Sequence, residues 1–235
     1  MARFTIVAIP VLVLALIPPA KAQDGSARYD SVHKIAVGGE GGWDFIEVDA
    51  ANRRLYVTRG TRVVVLDIDT EKVVGEIADT PGVHGVAFVP DLGRGVTSNG
   101  GDSSATVFDT KTLKTLGKVK ANGRPDIIYY EPVSRRVFTF NHGSNDTTAI
   151  DPVEMKAVGS LALGGVPELA VSDDQGHIFV NMENTSEIVE FDARTLTMLK
   201  RFPLAPGEEP TGLAFDPERP VVGHGAGAGR PRRRA

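Results

Sequence analysis

Residues 53–67 read RRLYVTRGTRVVVLD, and residues 135–151 read RRVFTFNHGSNDTTAID. Each is a pair of short runs rich in β-branched and aromatic residues, broken by a Gly-containing turn and closed by Asp. That composition and spacing predict two antiparallel strands joined by a tight turn. The same closing Asp recurs in ATVFD at Asp109 and IVEFD at Asp192, so Asp67, Asp109, Asp151 and Asp192 stand 42, 42 and 41 residues apart. A second anchor opens each unit at Trp43, His84, Pro125, Pro167 and Pro210, spaced 41, 41, 42 and 43. Two anchors with one period define an internal repeat.

Within each repeat four strands are expected. The first set (a) is Phe45–Asp49, Val86–Val89, Ile127–Tyr130, Leu169–Ser172 and Leu213–Phe215. Strand b is Arg54–Thr58, Gly95–Ser98, Val137–Phe140 and His177–Val180; strand c runs up to each closing Asp; strand d covers 73–78, 115–120, 157–163 and 198–203. Turn formers such as Ala51-Asn52, Pro90-Asp91 and Asp173–Gly176 separate them. Sustained 3.6-residue periodicity is missing from these repeats. Four short strands per ~42 residues predict an all-β fold, a β-propeller of four-stranded blades. About four blades plus one strand are present of an expected seven, so the propeller is incomplete.

The first 22 residues are a separate object. Arg3 precedes a 14-residue apolar run, Phe4–Ile17, which is short for a membrane span of about 20 residues. Pro18 and Pro19 end it, and Ala20-Lys21-Ala22 supplies a small-x-small cleavage pattern. This predicts a signal peptide over 1–22, a periplasmic or secreted location, and no membrane anchor after cleavage; an uncleaved anchor is the alternative. The 235 residues contain no Cys, which excludes disulfides, thiolate zinc sites and covalent haem attachment through C-x-x-C-H. Without the leader, 24 Lys and Arg stand against 30 Asp and Glu, a net of −6. That balance disfavours nucleic acid as a partner.

The repeats resemble the YVTN-type β-propeller family, the YncE-like group of exported bacterial proteins. The residues that carry the resemblance are Arg53–Thr58 with Val63–Asp67, Arg135–Asn141, and the Gly-x-Pro openers Gly123–Pro125 and Gly165–Pro167. It covers roughly residues 30–217 and implies seven blades, with functions spanning cell-surface binding, quinoprotein-associated proteins and lactonase-like enzymes. Residues 32–39 (VHKIAVGG) match 158–165 (VGSLALGG), which predicts an orphan d strand that would complete a last blade. The domain is expected over 23–219. Beyond Arg219 the alternating Gly and Ala of 223–229, followed by Pro and Arg, depart from the repeat. They predict a low-complexity, disordered tail over 220–235, as a frameshift or early stop near residue 219 would produce. Open blade edges of such an array favour self-association.

Strand direction places the d–a and b–c loops on one rim. That rim collects Trp43, Asp44, His84, Asp126 and Glu168 from the d–a loops, with Asn141 and His142 from a b–c loop. These seven are the candidate ligand-binding residues, for a small molecule or a protein. Carboxylates with imidazoles suit a divalent cation, whereas the same carboxylates could simply face water. Trp43 is a candidate floor for a small ligand or a packing residue between blades. Asn99, Asn141 and Asn181 are expected to shape turns, and the four strand-c Asp residues to cap them. No G-x-S-x-G, H-E-x-x-H or P-loop motif occurs. No catalytic residue and no cofactor is therefore assigned, a divalent metal being the alternative. The expected function is a binding or scaffold module; the second expectation is a metal-assisted lactonase-like or quinoprotein-associated enzyme. Sequencing the N-terminus of protein recovered from the exported fraction should read Gln23-Asp24-Gly25; a start at Met1 would show that the leader is retained.

Overall fold

A computed structural model describes residues 34–217 and 221–226. The leader, 1–22, and residues 227–235 lie outside them. The chain divides after Ile35, and the architecture below is that of the unit beginning at Ala36.

Four antiparallel four-stranded meanders follow one another. Blade 1 is β1 (Ile46–Asp49), β2 (Arg54–Arg59), β3 (Arg62–Asp67) and β4 (Lys72–Ile77). Blade 2 is β5 (Val83–Val89), β6 (Arg94–Asn99), β7 (Ser104–Asp109) and β8 (Thr115–Lys120). Blade 3 is β9 (Pro125–Glu131), β10 (Arg136–Asn141), β11 (Asp146–Asp151) and β12 (Lys156–Ala162). Blade 4 is β13 (Pro167–Ser172), β14 (His177–Met182), β15 (Glu187–Asp192) and β16 (Thr197–Pro203). A two-stranded sheet follows, β17 (Pro210–Asp216) with β18 (Val221–Ala226). The expected all-β, incomplete propeller is what the chain forms, and each strand expected within the repeats is present to within a few residues.

Two expectations at the ends are corrected. Residues 34–38 form no strand. A d strand needs the c strand of its own blade as a partner, and among the described residues each c strand already pairs with its own d strand. Val37 instead packs against Val57, Val64 and Leu66 on the outer face of blade 1. At the other end β17 is not alone: Val221–Ala226, expected to be part of a disordered tail, pairs with it as β18, so the described residues form four blades and two strands. The unpaired N–H and C=O groups of β17 demand partners whatever the side chains opposite, and Val221 and Val222 suit a strand.

The apolar core lies between the sheets. Alternate residues of strands b and c point to opposite faces, so each sheet contributes to two clusters. Tyr56, Val63 and Val65 join Phe108 and Val86 between blades 1 and 2. Val96 and Val107 join Val137 and Ile150 between blades 2 and 3. Phe138 and Phe140 join Ile178, Val180 and Phe191 between blades 3 and 4. Strands b and c are largely buried on both faces, with Thr, Ser and Asn among the buried residues, whereas strand d, at the outer edge, is largely exposed.

Two polar or steric devices repeat at every joint. Arg at the start of strand b reaches the c–d turn of the next blade. Arg54 Nη1 donates to the carbonyls of Thr110 and Lys111, Arg94 Nη1 to Pro152 and Val153, and Arg136 Nη1 to Ala193 and Arg194. The c–d turns are held by their closing Asp: Asp67 accepts the N–H and hydroxyl of Thr70, Asp109 those of Thr112, and Asp192 those of Thr195, and these contacts hold all three carboxyls below the usual range. The turn-capping role expected of these residues is present. The last residue of each turn has left-handed backbone: Leu113, Met155 and Leu196, a conformation that costs a non-glycine residue about 1 kcal/mol. Each lies over a strand-d glycine of the preceding blade. A Cβ on Gly75 would come within 2.7 Å of Leu113, one on Gly117 within 3.4 Å of Met155, and one on Gly159 within 2.5 Å of Leu196.

The pattern changes at both ends. The residue equivalent to Leu113 in blade 1 is Glu71, and the register places Lys200 of blade 4 where Gly75, Gly117 and Gly159 stand. At the head of strand b, where blades 1 to 3 carry Arg, blade 4 carries His177.

His177 Nδ1 lies 2.7 Å from Asp173 Oδ2. The hydrogen bond to Asp173 raises the His177 pKa above 6.5, and Glu190 and Asp192 add to it. Against the effect of its own burial, the N–H of Gln175 and the His177 ring hold Asp173 below 3.8. The raised histidine adds stability below pH 6.5 that is lost as pH rises through its folded pKa. The lowered aspartate adds stability above pH 3.8 that is lost as pH falls through its folded value. The melting temperature of Asp173→Asn should therefore fall furthest below wild type near pH 5–6, with the gap narrowing by pH 8. A gap independent of pH would show that the charge pair contributes nothing. A second expectation concerns packing. A Cβ at Gly95 would lie 2.1 Å from Cζ of the fully buried Phe108. Gly95→Ala should cost about 1–3 kcal/mol in urea unfolding, and Phe108→Leu in the same chain should recover part of it.

Candidate functional site

The strand register defines which residues are equivalent. Val83 pairs with Asn99, Pro125 with Asn141 and Pro167 with Met182, and three residues later Val86, Ile128 and Ala170 pair in turn. Blade 1 fits the same frame through Ile46 and Val57. Trp43, Val83, Pro125 and Pro167 are thus one position, and Asp44, His84, Asp126 and Glu168 are the next. The sequence reading set His84 beside Trp43 and Pro125 as an opener. The register corrects this by one residue: His84 takes the place of the carboxylates. Four ionisable side chains from one structural position therefore follow one another along the inner strands of four blades.

They meet. His84 Nδ1 lies 2.6 Å from Asp44 Oδ2 and 3.0 Å from Asp126 Oδ1. All three side chains are partly exposed. His84 also needs the glycine beneath it: a Cβ on Gly100 would stand 3.0 Å from its Nε2. In blades 3 and 4 the position of Gly100 is filled by His142 and Glu183, whose N–H groups make the same backbone bond across to the d–a loop. His142 Nε2 lies 3.8 Å from Glu183 Oε2. One potential ligand atom from each of His142, Glu168 and Glu183 lies within 4.8 Å of the others, and the same holds for Asp44, His84 and Asp126.

The electrostatics are those of crowded carboxylates. Burial raises the Asp126 pKa; Asp44 adds to this, and His84 opposes it. Burial pushes Glu168 up to about 7, helped by the negative charges of Asp126, Glu183 and Asp44. Among the described residues the ion pairs made by Asp44, Asp126 and Glu183 are with the two histidines. A concavity of about 430 Å³ lies toward the other end of the inner strands, among Glu47, Phe88, Ile128, Tyr129 and Tyr130.

Five of the seven expected rim residues come together: Asp44, His84, Asp126, His142 and Glu168. Two do not belong. Asn141 is fully buried: its Oδ1 accepts from Thr139, and its Nδ2 donates to Asp146 and Thr148. Its side chain serves the b–c hairpin through side-chain partners, as Asn99 does through Thr97, Ser104 and Thr106. Asn181 is not their equivalent, since Met182 holds that position; its Nδ2 donates to Gly212 O of β17. Trp43 is 71% exposed, so it does not pack between blades. Glu183 was missed. The signal was its place 41 residues after His142, directly beyond strand b.

No family model and no curated protein matches this chain. Among solved structures, Kuenenia stuttgartiensis Hydrazine Synthase, a β-propeller-containing protein, is similar at a TM-score of 0.67 and 18% identity. The fold is a β-propeller. The match covers 73% of this chain and 52% of that one, so the chain spans about half the length of the protein it resembles. At that identity the likeness carries architecture alone.

Proposed function

We propose that the protein is an exported propeller-fold binding module, of the YVTN-type family that its repeats resemble, and that it holds a divalent cation at the inner rim. The observation that carries this reading is one imidazole nitrogen between two carboxylates. An N–H at His84 Nδ1 can point at Asp44 or at Asp126, and whichever it leaves keeps an uncompensated charge. A cation held among them would take the imidazole lone pair and both carboxylates at once. One nitrogen and two oxygens suit a borderline first-row dication. Export rests on the basic, apolar and Ala-x-Ala features of residues 1–22.

Full-length protein stripped with chelator and titrated calorimetrically with Zn²⁺ should bind it. Asp126→Ala should weaken that binding at least tenfold, while His177→Ala, at the far pair, should leave it unchanged. Absence of heat and of bound metal in the folded wild-type chain would overturn the reading.

A further inference from the structure

We propose that the inner rim holds two divalent cations side by side, one on Asp44, His84 and Asp126 and the other on His142, Glu168 and Glu183. This rests on the cation-binding reading above and adds the number of ions and the division of the ligands.

Three observations support the division. First, the two triads share no residue, and each offers one imidazole nitrogen and two carboxylates within 4.8 Å of one another. The first is built from equivalent positions on blades 1, 2 and 3. The second joins one residue of that same series, Glu168, to the b–c loops of blades 3 and 4. In blade 2 the position of His142 and Glu183 is Gly100, where a Cβ would stand 3.0 Å from His84 Nε2. Second, the charge count fits two ions. Fully ionised, the four carboxyl groups would match two dications, and the described ion pairs of Asp44, Asp126 and Glu183 are with the two histidines. Third, Asp126 and Glu168 occupy the same position on neighbouring blades, so one triad begins where the other ends. Adjacent sites of this kind let carboxylates screen one cation from the next. The mixed nitrogen and oxygen donors favour Zn²⁺, Mn²⁺ or Co²⁺ over Ca²⁺ and Mg²⁺, which prefer all-oxygen sets.

The test counts ions. Full-length chain is stripped with chelator, equilibrated with Zn²⁺, freed of excess by gel filtration and measured for zinc per chain by elemental analysis. The wild type should carry two. His84→Ala and His142→Ala should each carry one, and the double variant none. Both side chains are about one-third exposed, so truncation leaves the core intact. His84→Gln and His142→Gln repeat the count should either Ala variant lose its circular-dichroism melting transition. One zinc in the wild type, lost in either single variant, would overturn the two-ion division and leave the cation-binding reading standing. No zinc in the folded wild type, or two that survive in the double variant, would overturn both.

Discussion

Everything in this molecule depends on the joint between one blade and the next. A single four-stranded sheet here has apolar residues on both faces and no means of covering either by itself. Stacking the sheets removes those faces from water, and the three inter-blade clusters account for most of the buried apolar residues. The Arg clamp and the glycine socket then fix how the sheets meet. The clamp ties the head of strand b to two carbonyls of the next blade's c–d turn. The socket lets a left-handed turn residue drop onto strand d of the preceding blade, so the cost of its backbone is offset by burial.

Because the joint repeats, it places equivalent atoms at regular intervals along the inner strands. A single position sampled once per blade becomes a row of side chains within reach of one another. In this chain that row reads Asp44, His84, Asp126, Glu168. A row of carboxylates at close quarters is unfavourable for folding, since burial and like charge both oppose ionisation. The fold tolerates it because the joints supply the stability elsewhere. Rims of this kind are where a repeat protein can trade stability for binding.

The ends of the array show the same logic through its exceptions. Glu71 stands where the inner joints use an apolar plug, Lys200 where they use glycine, and His177 where they use Arg. The outer face of blade 1 is covered in part by Val37 from a segment without regular structure. At the other end Phe179 stacks with Phe215 at 6.0 Å, so β17 still docks on blade 4 through an aromatic contact in place of the clamp.

Period and composition alone determined the four strands of each blade, the blade architecture and the turn-capping Asp residues, because these follow from local pattern: alternation, turn chemistry and a repeat near 42 residues. They also named five of the six residues that meet at the inner rim, since strand direction sends alternate loops to one side. Only the tertiary structure decided the rest. Whether His84 aligns with Trp43 or with Asp44 is a question of one residue, and spacing in sequence does not resolve it; the hydrogen-bond register does. Whether Asn141 faces a ligand or its own hairpin depends on the partners folded around it, here Thr139, Asp146 and Thr148. The spacing of Glu183 from His142 hinted at its place, and the contact between the b–c loops of two blades put it at the rim. Sequence records what each repeat can bury; contact between repeats decides which charged groups must share one space.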